Sequence, residues 1–373
     1  MRGAFLLSSV SLLWIIDCSS TNKQFCGERP LVGERGSRIV GGTDAKPGTW
    51  PWLVSIQQPS GGYFSHLCGG TLFSTGWVLT ASHCFKGEER NVHSWRVVTG
   101  ANQLSELGPE TQIRKFKKLY IHENYDPETE KNDIALIEMD RSIAFNDYTQ
   151  PACFPDHSMD VPTMSSCHVS GWGVMEEGSN EAADILQEAS VEMIPVSRCN
   201  SSQWYDGAIG IYNLCAGYEK GGVDSCQGDS GGPLMCKDTE SSIFYVVGVT
   251  SWGRGCAQAH SPGVYSSTQY FRAWILKTAQ GSTLYSPPSV PAAPERNDAD
   301  SSETVDSYEN NINESSDEIW HREETNDGIS SITENGGLYD DYDDWYYDYG
   351  KRKKHGLPIL RKTRPRLHGP QRW

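Results

Sequence analysis

No apolar run in this 373-residue chain reaches the roughly 18 residues that a membrane-crossing helix needs. Basic charge is also short, with 32 Lys and Arg against 48 Asp and Glu for a net −16, which argues against a general nucleic-acid binder. The cysteines never fall into paired C-x-x-C knuckles, so a zinc site is not expected. No repeat of about 20–50 residues is visible, which excludes a solenoid. Beyond residue 256 there is no cysteine, and beyond residue 286 no sustained aliphatic pattern. What the chain does have is glycine, 37 residues of it, which favours a turn-rich β protein over a helical one.

Charge is unevenly distributed. Residues 281–350 carry 2 Lys/Arg against 18 Asp/Glu, and residues 351–373 carry 9 against none, so the C-terminal stretch is a separate object, acidic and then basic. At the other end, Met1-Arg2, the apolar residues 4–16 and the small residues Ser19-Ser20 form a signal peptide, expected to be cut near Ser20. If Cys18 leaves with it, ten cysteines remain. An even number in an exported chain reads as five disulfides, whose pairing the sequence alone leaves open.

Short β-like runs recur at residues 52–56, 77–80, 95–99, 134–139 and 245–250. Ala189, Val191 and Met193 alternate with Glu188, Ser190 and Glu192, the period of a half-buried strand. A helix is expected over residues 270–277, with Trp274 and Ile275 packing inward. About 240 residues exceed one small barrel, so the pattern predicts an all-β unit of two barrels over residues 39–280. Residues 21–38 form a short polar segment with one cysteine, Cys26. From residue 281 the chain reads as disordered, because it has too few aliphatics to offset the entropy of ordering.

Three stretches carry candidate chemistry. In Gly228-Asp229-Ser230-Gly231-Gly232 a serine lies between glycines that leave backbone N–H groups open toward a developing oxyanion. Taken alone it reads equally as a turn. His83 follows the apolar run 77–80 in Thr80-Ala81-Ser82-His83-Cys84, where a lone histidine is more often structural. Asp133 enters an apolar strand in Asn132-Asp133-Ile134-Ala135-Leu136, a costly placement unless the carboxylate is hydrogen-bonded; its bland reading is a strand-end turn. The order His83, Asp133, Ser230 is one of the orders in which a Ser-His-Asp triad occurs.

With Ile39-Val40-Gly41-Gly42, Ser170-Gly171-Trp172-Gly173, Asp224-Ser225-Cys226-Gln227-Gly228-Asp229-Ser230-Gly231-Gly232-Pro233 and Ser251-Trp252-Gly253, these stretches resemble the trypsin-like serine proteases of the chymotrypsin family over residues 39–278. Ser82 departs from the family's usual alanine. The resemblance implies two packed antiparallel six-stranded barrels with a C-terminal helix, and a secreted serine endopeptidase with no metal or organic cofactor. It implies Ser230 as nucleophile, His83 as base, Asp133 as its orienting carboxylate, and Gly228 and Ser230 as oxyanion donors. It puts Asp224 at the floor of a pocket for an Arg or Lys side chain, with Gly253 and Gly263 on its walls and Ser251 behind Asp133. Cutting between Arg38 and Ile39 would free an amine to pair with Asp229, making the full chain a zymogen. The implied disulfides are Cys68–Cys84, Cys167–Cys236, Cys199–Cys215 and Cys226–Cys256, leaving Cys26–Cys153 to tether the cut peptide.

Within that family, Asn91-Val92-His93-Ser94-Trp95, Ile121-His122-Glu123-Asn124-Tyr125 and the stretch around Trp204 and Lys237-Asp238 are similar to the acrosins, the proteases of the sperm acrosome. That likeness implies the acrosome as compartment and egg-coat glycoproteins, sulfated glycans and serine protease inhibitors as partners. One cysteine pair toward the N-terminal segment, where acrosins usually have two, and an acidic Tyr-rich tail instead of a Pro-rich one are departures. Arg114-Lys115-Phe116-Lys117-Lys118 is a candidate site for sulfated glycans, or a solvated strand face. The Tyr-rich acidic run at residues 339–349 suits tyrosine sulfation or a plain spacer, and Lys351-Arg352-Lys353-Lys354 resembles a processing site. Asn200 and Asn313 head N-glycan sequons. Two rival readings are a trypsin-like protease outside the sperm setting and an egg-coat or glycan-binding protein with marginal catalysis.

Overall fold

The computed structural model describes residues 25–32, 42–175, 178–179, 181–238, 241, 243–279 and 371–372, all within one compact unit. The expected signal peptide, the 38/39 junction, Asn313, the acidic Tyr-rich run and the 351–354 cluster lie outside the described residues. In chain order the strands are β1 (Thr43–Asp44), β2 (Leu53–Ser60), β3 (Tyr63–Ser74), β4 (Trp77–Thr80), β5 (Arg96–Thr99), β6 (Gln112–Ile121) and β7 (Ala135–Met139). They continue as β8 (Ser165–Gly171), β9 (Gln187–Ile194), β10 (Asn213–Gly217), β11 (Pro233–Lys237), β12 (Phe244–Gly253), β13 (Gly263–Ser267) and β14 (Gln371–Arg372). Two short helices, α1 (Val196–Cys199) and α2 (Arg272–Thr278), complete the elements that bear on the site.

Strands β2-β3-β4-β7-β6-β5 close into one barrel. The second closes as β8-β9-β10-β13-β12-β11, with β1 added on β9 and β14 on β12. Every ladder within the barrels is antiparallel, so short turns suffice and glycine-rich connections are tolerated. The expected alternation on β9 holds at Val191, which is buried, and Glu192, which is exposed. Elsewhere alternation fades, because β2 begins with five buried residues and β12 is buried throughout. These strands are covered on both faces, by their own barrel's interior and by neighbouring segments. Trp52 shows the second kind of contact: it is fully buried, and its indole N–H donates to Met235 Sδ on β11 at 3.0 Å. Helix α2 buries Ile275, and Trp274 packs at the core's margin with its N–H on Glu123.

Five disulfides join Cys26 to Cys153, Cys68 to Cys84, Cys167 to Cys236, Cys199 to Cys215 and Cys226 to Cys256. The segment 25–32 is anchored as well as bonded. Gly27 exchanges backbone hydrogen bonds with Pro151 and Phe244, and its positive φ of 73° brings it so close that a Cβ would sit 2.4 Å from the Phe244 carbonyl. The Arg29 guanidinium lies 4.2 Å from the Trp50 ring centre and 4.8 Å from that of Phe244. Burial pulls its pKa down to about 10. A chain opened between residues 32 and 42 should therefore retain residues 25–32 until a thiol reductant is added. Intact-mass measurement with and without reductant checks this, and loss of the segment without reductant would exclude the tether.

Candidate active site

Strand pairing brings the first two candidate residues together. β4 ends at Thr80, which lies opposite Ala135, the first residue of β7. His83 follows β4 by three residues and Asp133 precedes β7 by two, so both project from one end of the first barrel. A 3₁₀ turn over Ser82–Phe85 carries the histidine, and the Cys68–Cys84 bridge ties that turn to β3. Asn132, at φ 54°, makes the left-handed step that turns the chain inward before Asp133. Ser82, at the family's alanine position, donates its hydroxyl to the Ile134 carbonyl at 2.6 Å, fastening the two segments.

Asp133 is fully buried. Such a carboxylate is tolerable only when its oxygens are supplied with donors. The backbone N–H of His83 reaches Oδ1 at 2.9 Å and His83 Nδ1 lies 2.7 Å from Oδ2. Ser251 Oγ on β12 donates to the same Oδ2, and Ser266 Oγ on β13 donates to the Asp133 carbonyl. A carboxylate only accepts, so Nδ1 carries the proton and Nε2 is the basic nitrogen of the neutral ring.

The Ser230 loop reaches this pair through glycine contacts between the barrels. Gly69 N donates to the Ser230 carbonyl at 2.8 Å, and Gly231 N to the Thr250 carbonyl at 2.8 Å. Gly231 has φ 75°, and a Cβ there would lie 2.1 Å from Thr80 Oγ1, on the strand that leads to His83. A Cβ on Gly69 would lie 2.9 Å from the Gly232 Cα. Only backbone fits on either side of this seam, so the loop that bears Ser230 is pressed against the segment that bears His83. Ser230 itself is 1% exposed.

Two further carboxylates flank the serine. Asp229 accepts from Gly173 N and Cys226 N, each at 2.9 Å, and no cation pairs with it among the described residues. Burial raises its pKa to about 6. Cβ atoms on Gly171 and Gly173 would sit 2.0 and 2.7 Å from this carboxylate, which explains two of the glycines in the Ser170–Gly173 motif. Gly42, Gly171, Gly173, Asp224 and Asp229 line one cavity. Asp224 accepts from Ser225 N at 2.8 Å through Oδ1, while Oδ2 is enclosed with no hydrogen-bond partner among the described residues. Burial holds this acid well above the usual carboxylate range. A Cβ on Gly263 would lie 2.7 Å from Oδ1, so glycine there keeps the approach to the acid open.

His66 and Glu130 were not singled out by the sequence reading. His66 Nε2 donates to the Gly228 carbonyl at 2.8 Å, and its Nδ1 accepts from Ser55 Oγ at 2.8 Å. Burial pushes its pKa down to about 4, so the ring is neutral and holds the carbonyl next to Asp229 in one orientation. Glu130 has φ 54°, is 4% exposed and accepts from Tyr125 Oη at 2.6 Å. One ligand atom from each of His83, Glu130 and Asp133 falls within 4.8 Å of the others. The Asp133 oxygens in that group are already supplied with donors, and Cys68 and Cys84 beside it are consumed in a disulfide. Neither residue has a sequence mark: His66 sits in a Ser-His-Leu strand run, and Glu130 in a charged loop that reads as solvated.

The outlying sites resolve unevenly. Arg38 and Ile39 lie outside the described residues, while Gly42, three residues after Ile39, lies at the Asp229 cavity. Of the basic strand, Lys117 pairs with Glu138, Lys118 lies over Tyr120, and Arg114 donates to the Ser142 carbonyl. The Asn200 amide nitrogen donates to the Ile209 carbonyl at 3.1 Å.

A protein-family model described as Trypsin matches residues 39–275, more than half of the chain. The chain belongs to the trypsin family: it is a serine endopeptidase, and its substrates are proteins.

Burial of Asp229 gives the uncut chain a pH signature. Its folded pKa of about 6 exceeds the ordinary 3.8, so the folded state keeps a proton that the unfolded state has lost. The stability this group contributes is present below about pH 4 and lost as pH rises through 6, a swing of roughly 3 kcal/mol. His66 runs the opposite way, so the comparison must be between chains that both retain it. Asp229→Asn should gain roughly 3 kcal/mol on the native sequence between about pH 4 and pH 7 in urea titrations. Parallel pH profiles of the two chains would show that this carboxylate does not titrate as described.

Proposed function

We propose that this trypsin-family chain is a secreted, zymogen-type endopeptidase that hydrolyses peptide bonds after Arg or Lys. The observation that carries the specificity is the Asp224 carboxylate, enclosed, lacking a partner at Oδ2 and backed by a glycine that leaves its approach open. Backbone N–H groups of Ser225, Ala257 and Gly263 stabilise this acid in part, but its countercharge is missing among the described residues, and a guanidinium or ammonium on a long stem supplies one. Ser225 and Tyr265, hydrogen-bonded to each other beside it, offer polar atoms to such a head group.

In this reading Ser230 Oγ attacks the peptide carbonyl carbon while His83 Nε2 takes its proton. The new oxyanion is met by the N–H groups of Gly228 and Ser230, each worth roughly 3–4 kcal/mol of barrier. His83 then gives the proton to the leaving amine, and water repeats the sequence on the acyl-enzyme. Asp133 keeps Nδ1 protonated and stabilises the imidazolium. Ser251 and Ser266 fix Asp133, and Ser251, Gly253 and Gly263 border the substrate. Cutting Arg38–Ile39 frees an amine whose charge suits the buried, cation-free Asp229. Support comes from the cavity that Asp229 shares with Gly42. Because the junction follows an arginine, the mature enzyme is suited to cut its own precursor.

The acrosin likeness extends the proposal to the sperm acrosome, with egg-coat glycoproteins as substrates and sulfated glycans on the basic strand β6, where Lys115 and Lys117 are exposed. The alternative is a trypsin-like protease of another tissue. The deciding assay cuts the chain after Arg38 and compares amide substrates with Arg, Lys, Phe and Leu before the scissile bond. Arg and Lys substrates should be turned over, and Ser230→Ala should lower kcat by on the order of 10⁵–10⁶. Asp224→Ser should cost Arg and Lys substrates roughly 30- to 5,000-fold in kcat/KM, as removal of a buried charge partner does, and spare the Phe substrate. Equal rates on all four substrates would refute the specificity.

A further inference from the structure

Strand β12 is paired on both edges for most of its length, by β13 on one side and β11 on the other. The β11 ladder stops at Pro233–Val249, because the chain there turns back through Gly232 and Gly231 to Ser230. Thr250 still bonds the serine loop on that edge, donating to the Gly232 carbonyl and accepting from Gly231 N; beyond it, the edge of β12 is open to another strand. Residues 371 and 372 fill it as β14, antiparallel, with Gln371 opposite Gly253 and Arg372 opposite Trp252. Trp252 keeps Val264 of β13 on its other side, so β14 lies on the edge that β11 leaves.

That edge leads into the active site. One residue before Trp252 is Ser251, whose hydroxyl holds Asp133, and the residue before that, Thr250, accepts from Gly231 N beside Ser230. A strand running in the direction of 371 to 372 therefore advances toward the serine. An extended peptide approaching Ser230 from this side must pair along the same two residues, by addition of a strand to an exposed sheet edge. We infer that the Trp252–Gly253 edge is a docking surface for this chain's own C-terminal stretch, which competes there with extended peptide substrates.

Charge favours the same occupant. The stretch 351–373 has nine Lys/Arg and no Asp/Glu, and Asp224, beside Gly263 at the start of the strand paired with Trp252, has an oxygen with no partner among the described residues. Two residue pairs make a weak ladder, but an intramolecular strand acts at an effective concentration of about a millimolar, enough for a weak contact to be substantially occupied.

The inference rests on the protease reading of this site, and its test separates the two. The full chain and a chain lacking residues 367–373 are both cut after Arg38 and assayed on a tetrapeptide arginine amide and on a single-residue arginine amide that does not reach the edge. The deletion should lower KM for the tetrapeptide about three- to tenfold with kcat unchanged, leave the short amide nearly unaffected, and be reversed competitively by a synthetic peptide of residues 365–373. Hydrogen exchange over residues 251–253, read amide by amide in a Ser230→Ala background, should quicken on deletion at the amide that faces β14. Equal KM values in two active chains overturn the competition, whatever the exchange result. If neither chain hydrolyses either substrate, the protease reading falls, and docking stands or falls on the exchange alone.

Discussion

Asp133 has its carboxylate at zero exposure, and the donors that make this tolerable come from both barrels: the backbone and ring N–H of His83 from one, the Ser251 hydroxyl from the other. A carboxylate deprived of such partners pays several kcal/mol of desolvation. The same bonds decide the chemistry. With Nδ1 committed as a donor, the imidazole has one tautomer, and its basic nitrogen faces away from the acid. Asp133 thus sets both the rotation and the tautomer of the His83 ring.

The second constraint is steric. Gly69, Gly231 and Gly232 let the backbones of the two barrels meet where no side chain fits, and Thr80 Oγ1 donates to the Gly69 carbonyl within that contact. The serine loop is consequently held by backbone hydrogen bonds on both sides, from Gly69 to Ser230 and from Gly231 to Thr250. Side-chain packing alone tolerates shifts of some tenths of an ångström. A seam of backbone contacts does not, which suits a site that depends on hydrogen-bond distances.

Legibility in the sequence followed local information. The strands at residues 77–80, 134–139 and 245–250 were visible because their residues are aliphatic and bounded by turns, and each matches an observed strand closely. β6 and β13 were not singled out: Arg114-Lys115-Phe116-Lys117-Lys118 offers one apolar residue to the core, and Gly263–Ser267 is buried despite having few aliphatics. Their place is set by the strands on either side, β5 and β7 for β6, β10 and β12 for β13. At the site, the glycine-flanked Ser230 and the buried Asp133 could be marked because their local settings are unusual. His66 and Glu130 could not, since what distinguishes them is a carbonyl 162 residues away in one case and an imidazole from another segment in the other. Strand β14 was beyond reach for the same reason: two polar residues carry no periodicity, and only the open edge of β12 gives them a partner.

Three aspartates in one small region are burdened by the same desolvation and differ only in what surrounds them. Asp133 has donors on both oxygens and holds the His83 ring. Asp229 has two backbone N–H groups and, among the described residues, no cation; burial raises its pKa to about 6, and its ionised form is an open demand for positive charge. Asp224 has one enclosed oxygen with no hydrogen-bond partner among the described residues, and burial raises its pKa as well. A fold that buries carboxylates incompletely satisfied is less stable than one that does not. A cation recovers that deficit, and the proposed function assigns a different one to each site: an amine on a chain end for Asp229, a long basic side chain for Asp224. In the function proposed above, specificity and activation are two uses of a single physical device, separated by which opening in the fold leads to the acid.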